Sequence, residues 1–387
     1  MTISQFNLID PQHQSGGPVL FEETFRRSDR EFPVRFAKRR LSGGLSDGVD
    51  LLEVDNGLLS FAVLLSKGMG VWRGKCGDVE LKWDSPVHGP VHPRHIPIFH
   101  PSGLGWLEGF DEWIARCGLN SNGAPEFTPA GVLRYPLHGR IANMPAREAS
   151  CAYDSESGAM TVSGVVDEAA LFSSKLALNV SYTTSAGSTR LRVRDEVVNL
   201  GSVPAEFELL YHINSGFPLM TPGAEFFIPF EKMTPREASA KANLDRWNVC
   251  LPETPDSPEN CYLFDLAADS LGRTRVMILN ATKDRGVSLS FNKNEFPHFL
   301  TWKLMRPNGD TYVTAIEPCV NFPNTRSFEK KHGRVATLEP GASRVFNFDI
   351  DVLLTPEQIG AAKEDIAALK AGAAGTIEAD PLEEWCE

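Results

Sequence analysis

Short runs of apolar residues, or of alternating apolar and polar residues, recur along most of this chain and are separated by turn-forming residues. From Leu51 onward each run is bounded by Gly, Pro, Asn or Asp. This pattern is typical of a many-stranded antiparallel protein. The runs lie at residues 58–65, 160–166, 176–182, 191–198, 207–213, 275–279, 299–305, 312–316 and 344–350. The length of 387 residues favours an all-β fold, a large antiparallel sandwich, over a small closed barrel.

One helix is predicted after the last strand. Thr355 is a suitable N-cap, Pro356 fits the first helical position, and Gln358 completes the spacing of a capping box. The apolar residues that follow at helical spacing are Ile359, Ala362, Ile366 and Leu369. We therefore expect a C-terminal helix that packs on the outside of the β body.

The predicted organisation is one sandwich domain over residues 51–350. A peripheral segment over residues 1–50 precedes it, and the helix and an acidic tail over residues 351–387 follow it. The tail from residue 372 is rich in small and acidic residues, so we expect part of it to be disordered.

The charge balance excludes several classes of function. The chain has 38 basic and 50 acidic residues, a net charge of −12, which is the wrong sign for nucleic-acid binding. It has no basic run suited to a membrane surface and no apolar window long enough to cross one. The N-terminus has no secretory signal pattern, and the seven cysteines are scattered without a C-x-x-C pair. We therefore expect a cytoplasmic protein with reduced cysteines.

Three residues that can transfer protons lie where a predicted strand meets turn residues: His138, His212 and Glu317. Histidine and glutamate suit proton transfer near neutral pH, and a strand end is where a rigid scaffold presents such groups. His212 shares a strand face with Glu208 and Leu210, which suits a cleft better than a dry core. The alternatives are a turn-capping His138, a hydrogen-bonded core His212 and a solvent-facing Glu317.

Four further histidines crowd a proline-rich stretch, at positions 88, 92, 95 and 100. Their spacing is irregular, and no carboxylate or cysteine completes a familiar ligand pattern. We interpret the stretch as a histidine-bearing loop, with a metal site as the less favoured alternative. Motifs for a dinucleotide, a P-loop or a serine nucleophile do not occur.

The order of these motifs resembles the aldose 1-epimerase, or galactose mutarotase-like, family. It consists of a Leu-His-Gly turn at 137–139, a Tyr-His-x-Asn segment at 211–214, Glu317 near a strand end, and a Leu-Glu-Pro-Gly turn at 338–341 before the last strand. The segments 117–120, 138–145 and 301–303 are more similar to a divergent, poorly characterised branch of that family. Typical members carry Glu-Thr-Gln at the base, where this chain has Glu-Pro-Cys at 317–319.

The resemblance implies a galactose mutarotase-like supersandwich with a sugar cleft across one sheet. It implies that His212 is the general acid, Glu317 the general base, His138 a substrate ligand near the ring oxygen, and Arg116 a substrate arginine. Because free sugars already interconvert their anomers unaided, no metal or cofactor is expected.

Further candidate substrate ligands are Arg140, Asn143, Asn214, Trp302 and Lys303. Trp302 offers a ring that can stack on a sugar, with a core tryptophan as the alternative, whereas Lys303 lies on the opposite strand face and is the weaker candidate. Two arginines, Arg116 and Arg140, favour an acidic sugar.

The sequence thus predicts an aldose 1-epimerase-like enzyme that binds a small-molecule carbohydrate, without nucleic acid or membrane partners, as a monomer or homodimer. The alternatives are a non-catalytic carbohydrate-binding protein, and a lyase, isomerase or glycosidase that acts on a modified sugar.

Overall fold

Two large, mostly antiparallel sheets pack face to face in the structure, a computed structural model that describes residues 3–10, 12 and 19–387. One sheet contains nine of the described strands and the other contains fourteen, with a separate two-stranded ribbon. The predicted all-β sandwich with a C-terminal helix is confirmed. Within the described ranges, no helix is both long and apolar enough to cross a membrane.

The strands in chain order are β1 (Ile3–Ile9), β2 (Leu20–Arg27), β3 (Arg30–Arg40), β4 (Asp50–Asp55), β5 (Leu59–Leu64), β6 (Val71–Cys76), β7 (Val79–Leu81), β8 (Ile114–Leu119), β9 (Glu126–Phe127), β10 (Leu133–Tyr135), β11 (Ala146–Asp154), β12 (Ala159–Ala169), β13 (Lys175–Ser185), β14 (Arg190–Asn199), β15 (Ala205–Gly216), β16 (Glu225–Phe227), β17 (Phe230–Pro235), β18 (Asn260–Leu266), β19 (Arg273–Leu279), β20 (Gly286–Asn292), β21 (His298–Met305), β22 (Tyr312–Cys319), β23 (Ala336–Leu338), β24 (Ser343–Leu353) and β25 (Thr376–Ile377). The α-helices are α1 (Ala238–Ala242), α2 (Arg326–Lys331) and α3 (Pro356–Ala371). Short 3-10 segments lie at Gly44–Ser46, Pro93–His95, Gly105–Gly109, Ile141–Asn143 and Leu244–Arg246.

The strand order explains how distant parts of the chain meet. The nine-stranded sheet runs β1-β11-β12-β13-β14-β24-β20-β19-β16. The larger sheet runs β2-β3-β4-β5-β6-β8-β15-β22-β21-β18-β17-β25, with β7 beside β6 and β23 beside β15. The strands β15 and β22 are therefore neighbours in the middle of the larger sheet, although about a hundred residues separate them in the chain.

Alternating burial along the strands builds the core between the sheets. In β14, Leu191 and Val193 are buried, whereas Arg192 lies on the outer face and pairs with Asp349 of β24 at 2.8 Å. The two sheets meet at aromatic contacts such as Tyr211 of β15 against Phe348 of β24, with ring centroids 4.8 Å apart. The expected arrangement of one buried and one wet face is confirmed for β14.

The C-terminal helix α3 forms as the sequence predicts. The Thr355 side chain accepts a hydrogen bond from the Gln358 N–H, and the Gln358 side chain accepts one from the Thr355 N–H, which completes the capping box. The buried face of the helix, Ile359, Ala362 and Ile366, packs on β19. This apolar stripe holds the helix against the outside of the nine-stranded sheet.

The acidic tail lies against the sandwich, where we expected partial disorder. The ring of Trp385 stacks at 5.3 Å from that of Phe322, and the Asn324 side chain donates to the Trp385 carbonyl at 2.9 Å. Strand β25 pairs in parallel with β17. The composition of the tail suggests too little apolar surface for packing, but the one large ring of Trp385 supplies it.

The N-terminal segment contributes edge strands to both sheets. Strand β1 pairs with β11 at the edge of the nine-stranded sheet, and β2 and β3 form the edge of the larger one. Residues 1–2, 11 and 13–18 of the segment lie outside the described residues. The proposed divisions at residues 50 and 350 remain a prediction.

Candidate active site

A cavity of about 570 Å³ opens on one face of the larger sheet. Its floor comes from β15, β18, β21 and β22, and the segment from Trp83 to Phe110 lies over it as a wall. The aromatic residues that line it are Trp83, Trp106, Phe110 and Trp302. The polar and charged residues that line it are Ser85, His138, His212, Arg236, Glu259, Arg306, Thr311 and Glu317. A volume of this size and a mostly apolar lining with few polar groups are typical of a small-molecule site.

The two proton-transfer candidates with the strongest sequence signal face each other on the cavity floor. Leu210 pairs with Cys319 and Ile213 with Ile316, a register that places His212 of β15 opposite Glu317 of β22. The distance between His212 Nε2 and Glu317 Oε1 is 3.6 Å, and their side chains are 5% and 2% exposed. The pairing of β15 with β22 therefore brings an imidazole and a carboxyl group together in one cavity.

Asn214 determines which nitrogen of His212 faces the carboxyl group. Asn214 Nδ2 donates to the Glu112 carbonyl at 2.9 Å, which turns Asn214 Oδ1 toward His212 Nδ1 at 2.6 Å. Because that oxygen only accepts, Nδ1 carries the hydrogen in neutral His212. The unprotonated nitrogen is then Nε2, on the side of Glu317. Asn214 is fully buried and positions His212 without lining the cavity itself.

Burial drives both groups toward their uncharged forms. Desolvation, together with nearby His138, lowers the pKa of His212 to about 3. Desolvation raises the pKa of Glu317 well above its usual range, against the opposing effect of Arg236. Glu317 Oε1 has no hydrogen-bond partner in the described part of the chain. Both shifts favour a proton on the carboxyl group, beside an imidazole nitrogen that can accept it.

His138 adds a second imidazole to the cavity. Its backbone is in the left-handed region, with φ of 56°, and Gly139 follows with φ of 70°. Its Nδ1 lies 2.8 Å from the Asn122 carbonyl, an acceptor, so Nδ1 carries the hydrogen and Nε2 is free to accept one. Its ring centroid lies 5.7 Å from that of His212, and desolvation lowers its pKa to about 4. A neutral imidazole so placed suits a sugar hydroxyl.

Trp302 lines the cavity beside the acid–base pair. Its ring centroid lies 5.3 Å from that of His212, and its Nε1 donates to Glu259 at 2.8 Å. The ring is half-buried, so part of it can contact a ligand. This position is compatible with stacking on a sugar ring, and it makes the alternative of a purely structural core tryptophan less favourable.

Arg116 does not line the cavity, so the expectation that it contacts substrate is wrong. Its side chain is fully buried between the two sheets and makes a bidentate pair with Asp195 at 2.5 and 3.0 Å. It also donates to Tyr182 at 2.8 Å. On β8 it sits opposite Tyr211, on the face away from His212. A buried arginine requires a charged partner, and Asp195 on the other sheet is that partner. The ion pair therefore links the two sheets and leaves no free charge for a substrate.

Three other expected ligands also lie elsewhere. Arg140 lines a separate, smaller pocket and lies 3.6 Å from Glu168. Lys303 is buried on the opposite face of β21, as its position in the strand indicated, and donates to the carbonyls of Trp247 and Val249 at 2.8 and 3.1 Å. Asn143 is buried in a 3-10 segment and is not among the residues that line the cavity. Strand alternation and local contacts account for all three positions.

Arg236 is the cavity residue that the sequence reasoning missed. It directly follows β17, and its main-chain N–H donates to the Cys261 carbonyl at 3.0 Å, which continues the sheet past the strand end. The sequence Thr-Pro-Arg-Glu at 234–237 carries a signal similar to that of Glu317, a charged residue next to a proline near the end of a strand. It was missed because the preceding strand is short and irregular, with a register shift after Phe230.

The histidines at positions 88, 92, 95 and 100 are not arranged as a set of metal ligands. His92 caps a 3-10 turn by accepting from the Arg94 N–H, and His100 contacts Ser102. Among residues 3–10, 12 and 19–387, no group of three His, Cys, Asp or Glu side chains is arranged to hold a metal ion. None of the four lines the cavity.

Fold and cavity together define a class: a two-sheet supersandwich with a histidine–glutamate pair in a cleft across the larger sheet. A family model described as a domain of unknown function, DUF4432, matches residues 46–352. This is most of the chain, and the chain therefore belongs to that family.

Solved structures with the same fold carry more informative names. A protein from Klebsiella pneumoniae subsp. pneumoniae, provisionally named an aldose 1-epimerase, has a TM-score of 0.93 and 26% identity over 98% of this chain and 99% of its own. A galactose mutarotase-like protein from Clostridium acetobutylicum has a TM-score of 0.54 and 16% identity over 83% of this chain and 98% of its own. The resemblance to galactose mutarotase-like proteins is thus confirmed in the fold.

A match of another kind covers only a short segment. A malonyl-[acyl-carrier protein] O-methyltransferase from Magnetococcus marinus is 31% identical over 84 residues, which is 18% of this chain. The chain spans about a third of the length of that curated relative, 31%. Nothing of the methyltransferase's activity is carried over to this chain.

Proposed function

We propose that this protein is an aldose 1-epimerase-like enzyme that interconverts the anomers of a sugar or sugar derivative by general acid–base ring opening. One observation carries the proposal: His212 Nε2 and Glu317 Oε1 lie 3.6 Å apart on the floor of a cavity of ligand size. The anomeric hydroxyl and the ring oxygen of a pyranose are bonded to the same carbon. Two groups that serve these two oxygens must therefore be close neighbours, as His212 and Glu317 are.

The single proton of the pair is sufficient for the reaction. Transfer of the Glu317 proton to His212 Nε2 gives a carboxylate and an imidazolium. The carboxylate then takes the proton of the C1 hydroxyl, and the imidazolium gives its proton to the ring oxygen. The bond between C1 and the ring oxygen breaks as the aldehyde forms, and both side chains return to their neutral forms.

Ring closure reverses these steps from the other side. Rotation about the C1–C2 bond exposes the opposite face of the aldehyde. The C5 hydroxyl attacks C1, Glu317 protonates the new C1 oxygen, and His212 accepts the proton that the hydroxyl loses. His138 Nε2, as an acceptor, and the Trp302 ring hold the sugar during the rotation. Each proton-transfer group is expected to contribute about 10²–10⁴-fold to the rate.

A panel of sugars tests the proposal. Purified protein is added to hexoses, pentoses and uronic acids at anomeric equilibrium, and exchange between the two anomer signals is measured by NMR. The proposal expects faster exchange for at least one sugar and no new product. A new compound would indicate a lyase or another isomerase, and binding without faster exchange would indicate a non-catalytic sugar-binding protein. Either result would contradict the proposal.

A further inference from the structure

Arg236 brings a positive charge to the cavity from a strand well separated from the acid–base pair. In the order β22-β21-β18-β17, three strand spacings, about 14 Å, lie between the strand of Glu317 and the strand that Arg236 follows. Both side chains nevertheless line the same cavity. The distance between their backbones leaves room for a sugar whose reacting oxygens lie at the catalytic pair while a substituent next to the ring oxygen reaches the guanidinium group.

Arg236 differs from the other largely buried arginines because it has no carboxylate partner. Arg116, Arg326 and Arg334 each have a carboxylate oxygen within 3.1 Å. Within the described residues, no carboxylate oxygen lies within 4.0 Å of the Arg236 guanidinium, although Glu237 and Glu259 are near enough to act on its charge. Its Nη2 donates to the Pro323 carbonyl at 3.3 Å, and the side chain also contacts Cys261. Most of its five N–H donors therefore remain available to a ligand.

The other charged groups of the cavity do not take this role. Arg306 donates to the Ser257 carbonyl at 3.1 Å and lies 4.0 Å from Asp310, so it already has partners. Glu259 is exposed, and its carboxylate accepts the Trp302 N–H at 2.8 Å. Water screens its charge more effectively than that of a buried group. Arg236 is therefore the group best placed to bind an anion.

We propose that the sugar is acidic, a hexuronate or similar sugar acid, whose carboxylate forms a bidentate pair with Arg236. This inference rests on the proposed function, which places the ring oxygen at His212 and Glu317. In a hexuronate the carboxylate is attached to C5, the other carbon bonded to the ring oxygen, and so projects from the ring beside the reacting atoms. A planar guanidinium matches the geometry of a carboxylate.

Methyl esters provide the sharpest test because they keep the size of the acid and remove its charge. Anomer exchange is measured by NMR for D-glucuronate and D-galacturonate, their methyl esters, and the matching hexoses. We expect kcat/KM for the acid to exceed that for its ester by about 10–100-fold, the value of a hydrogen bond to a charged group. Arg236→Gln should bring the ratio of kcat/KM for the acid to that for the ester close to one, and this ratio is the readout because the loss of a charge near Glu317 affects both substrates alike. Arg236→Lys should restore part of the difference.

The outcomes separate this inference from the proposed function. Arg192→Gln, on the outer face of the other sheet, is the matched control and should change nothing. If hexoses, esters and acids exchange equally well and Arg236→Gln slows all of them alike, the acidic sugar is wrong and the proposed function stands. If no sugar exchanges but the uronates bind in a way that requires Arg236, the acidic ligand stands and the proposed function fails. Neither exchange nor binding of the uronates would overturn the inference.

Discussion

The imidazole of His212 and the carboxyl group of Glu317 lie in a cavity whose burial favours the uncharged form of each group. Their positions opposite each other on β15 and β22 set the distance, and Asn214 sets the tautomer. Removing charged groups from water is costly, which is why the pair rests in its neutral form. We therefore expect the proton that is transferred to lie on the carboxyl group before substrate binds.

The first prediction concerns Asn214. In Asn214→Asp a carboxylate replaces the amide oxygen beside His212 Nδ1, and an opposite charge favours the imidazolium form. The pair then takes up a second proton at higher pH and loses its base. The acidic limb of the pH profile of kcat/KM should move upward, by about 1–3 pH units.

The exposed Asn294 provides the matched control. Asn294→Asp makes the same chemical change far from the cavity, and its profile should coincide with that of the wild type. A profile for Asn214→Asp with a lower rate but an unmoved limb would mean that Asn214 has only a structural role.

The second prediction concerns stability. Folding raises the pKa of the Glu317 carboxyl group above 4.5, its value in the unfolded chain. Its contribution to stability is therefore fully present below pH 4.5 and is lost as pH rises through the pKa of the folded protein. Glutamine does not titrate, so the stability of Glu317→Gln relative to the wild type should rise as pH increases above about 4.5. Urea unfolding at several pH values measures this difference.

A matched substitution on the surface controls for the change of residue type. Glu364→Gln, on the exposed face of α3, should show no such dependence on pH. A constant difference between Glu317→Gln and the wild type at all pH values would show that Glu317 is not held in its neutral form.

At the scale of elements, local patterns predicted strands well and their partners poorly. The runs at 207–213 and 312–316 correspond to β15 and β22, but nothing in either run indicates that the two pair. The family resemblance implied that Arg116 is a substrate arginine, and no local pattern argued against it. Its partner Asp195 lies 79 residues further along, and the continuously buried pattern of β8 does not indicate which face meets the other sheet. The chemistry of a side chain can be read from its own residue, but the pairing of strands depends on distant parts of the chain.

The third prediction concerns the cap of α3. Thr355→Ala removes the side-chain acceptor of the capping box, which should lower the free energy of unfolding by about 1 kcal/mol. The helix packs on the nine-stranded sheet, on the outside of the sandwich, so anomer exchange at 25 °C should be unchanged. Thermal or urea unfolding measures the first effect and NMR exchange the second. A large loss of exchange with little loss of stability would link the helix to the site.

At the scale of the whole molecule, the sandwich keeps His212, Glu317 and His138 largely out of water. The wall from Trp83 to Phe110 lies over the floor of the larger sheet, and burial shifts the pKa values of both histidines downward. The sequence could indicate which residues transfer protons. It could not indicate how strongly they are desolvated, because that depends on loops that converge only in the folded chain.

The fourth prediction follows from this burial. With pKa values of about 4 for His138 and about 3 for His212, the proposed anomer exchange should keep its kcat/KM between about pH 7 and pH 5. An ordinary histidine would already be charged over most of that range. The alkaline limb should lie above the usual range of a glutamate, since it reports Glu317. A midpoint near pH 6.5 on the acidic side would show that His212 is not desolvated.

A double-mutant cycle on anomer exchange tests the central claim most directly, with the sugar that the wild type exchanges fastest. His212→Asn and Glu317→Gln should each lower kcat by about 10²–10⁴-fold. The double variant should be little slower than the slower single variant, because the two groups act as a unit. Full exchange rates in both single variants, with the sugar still bound, would contradict the account.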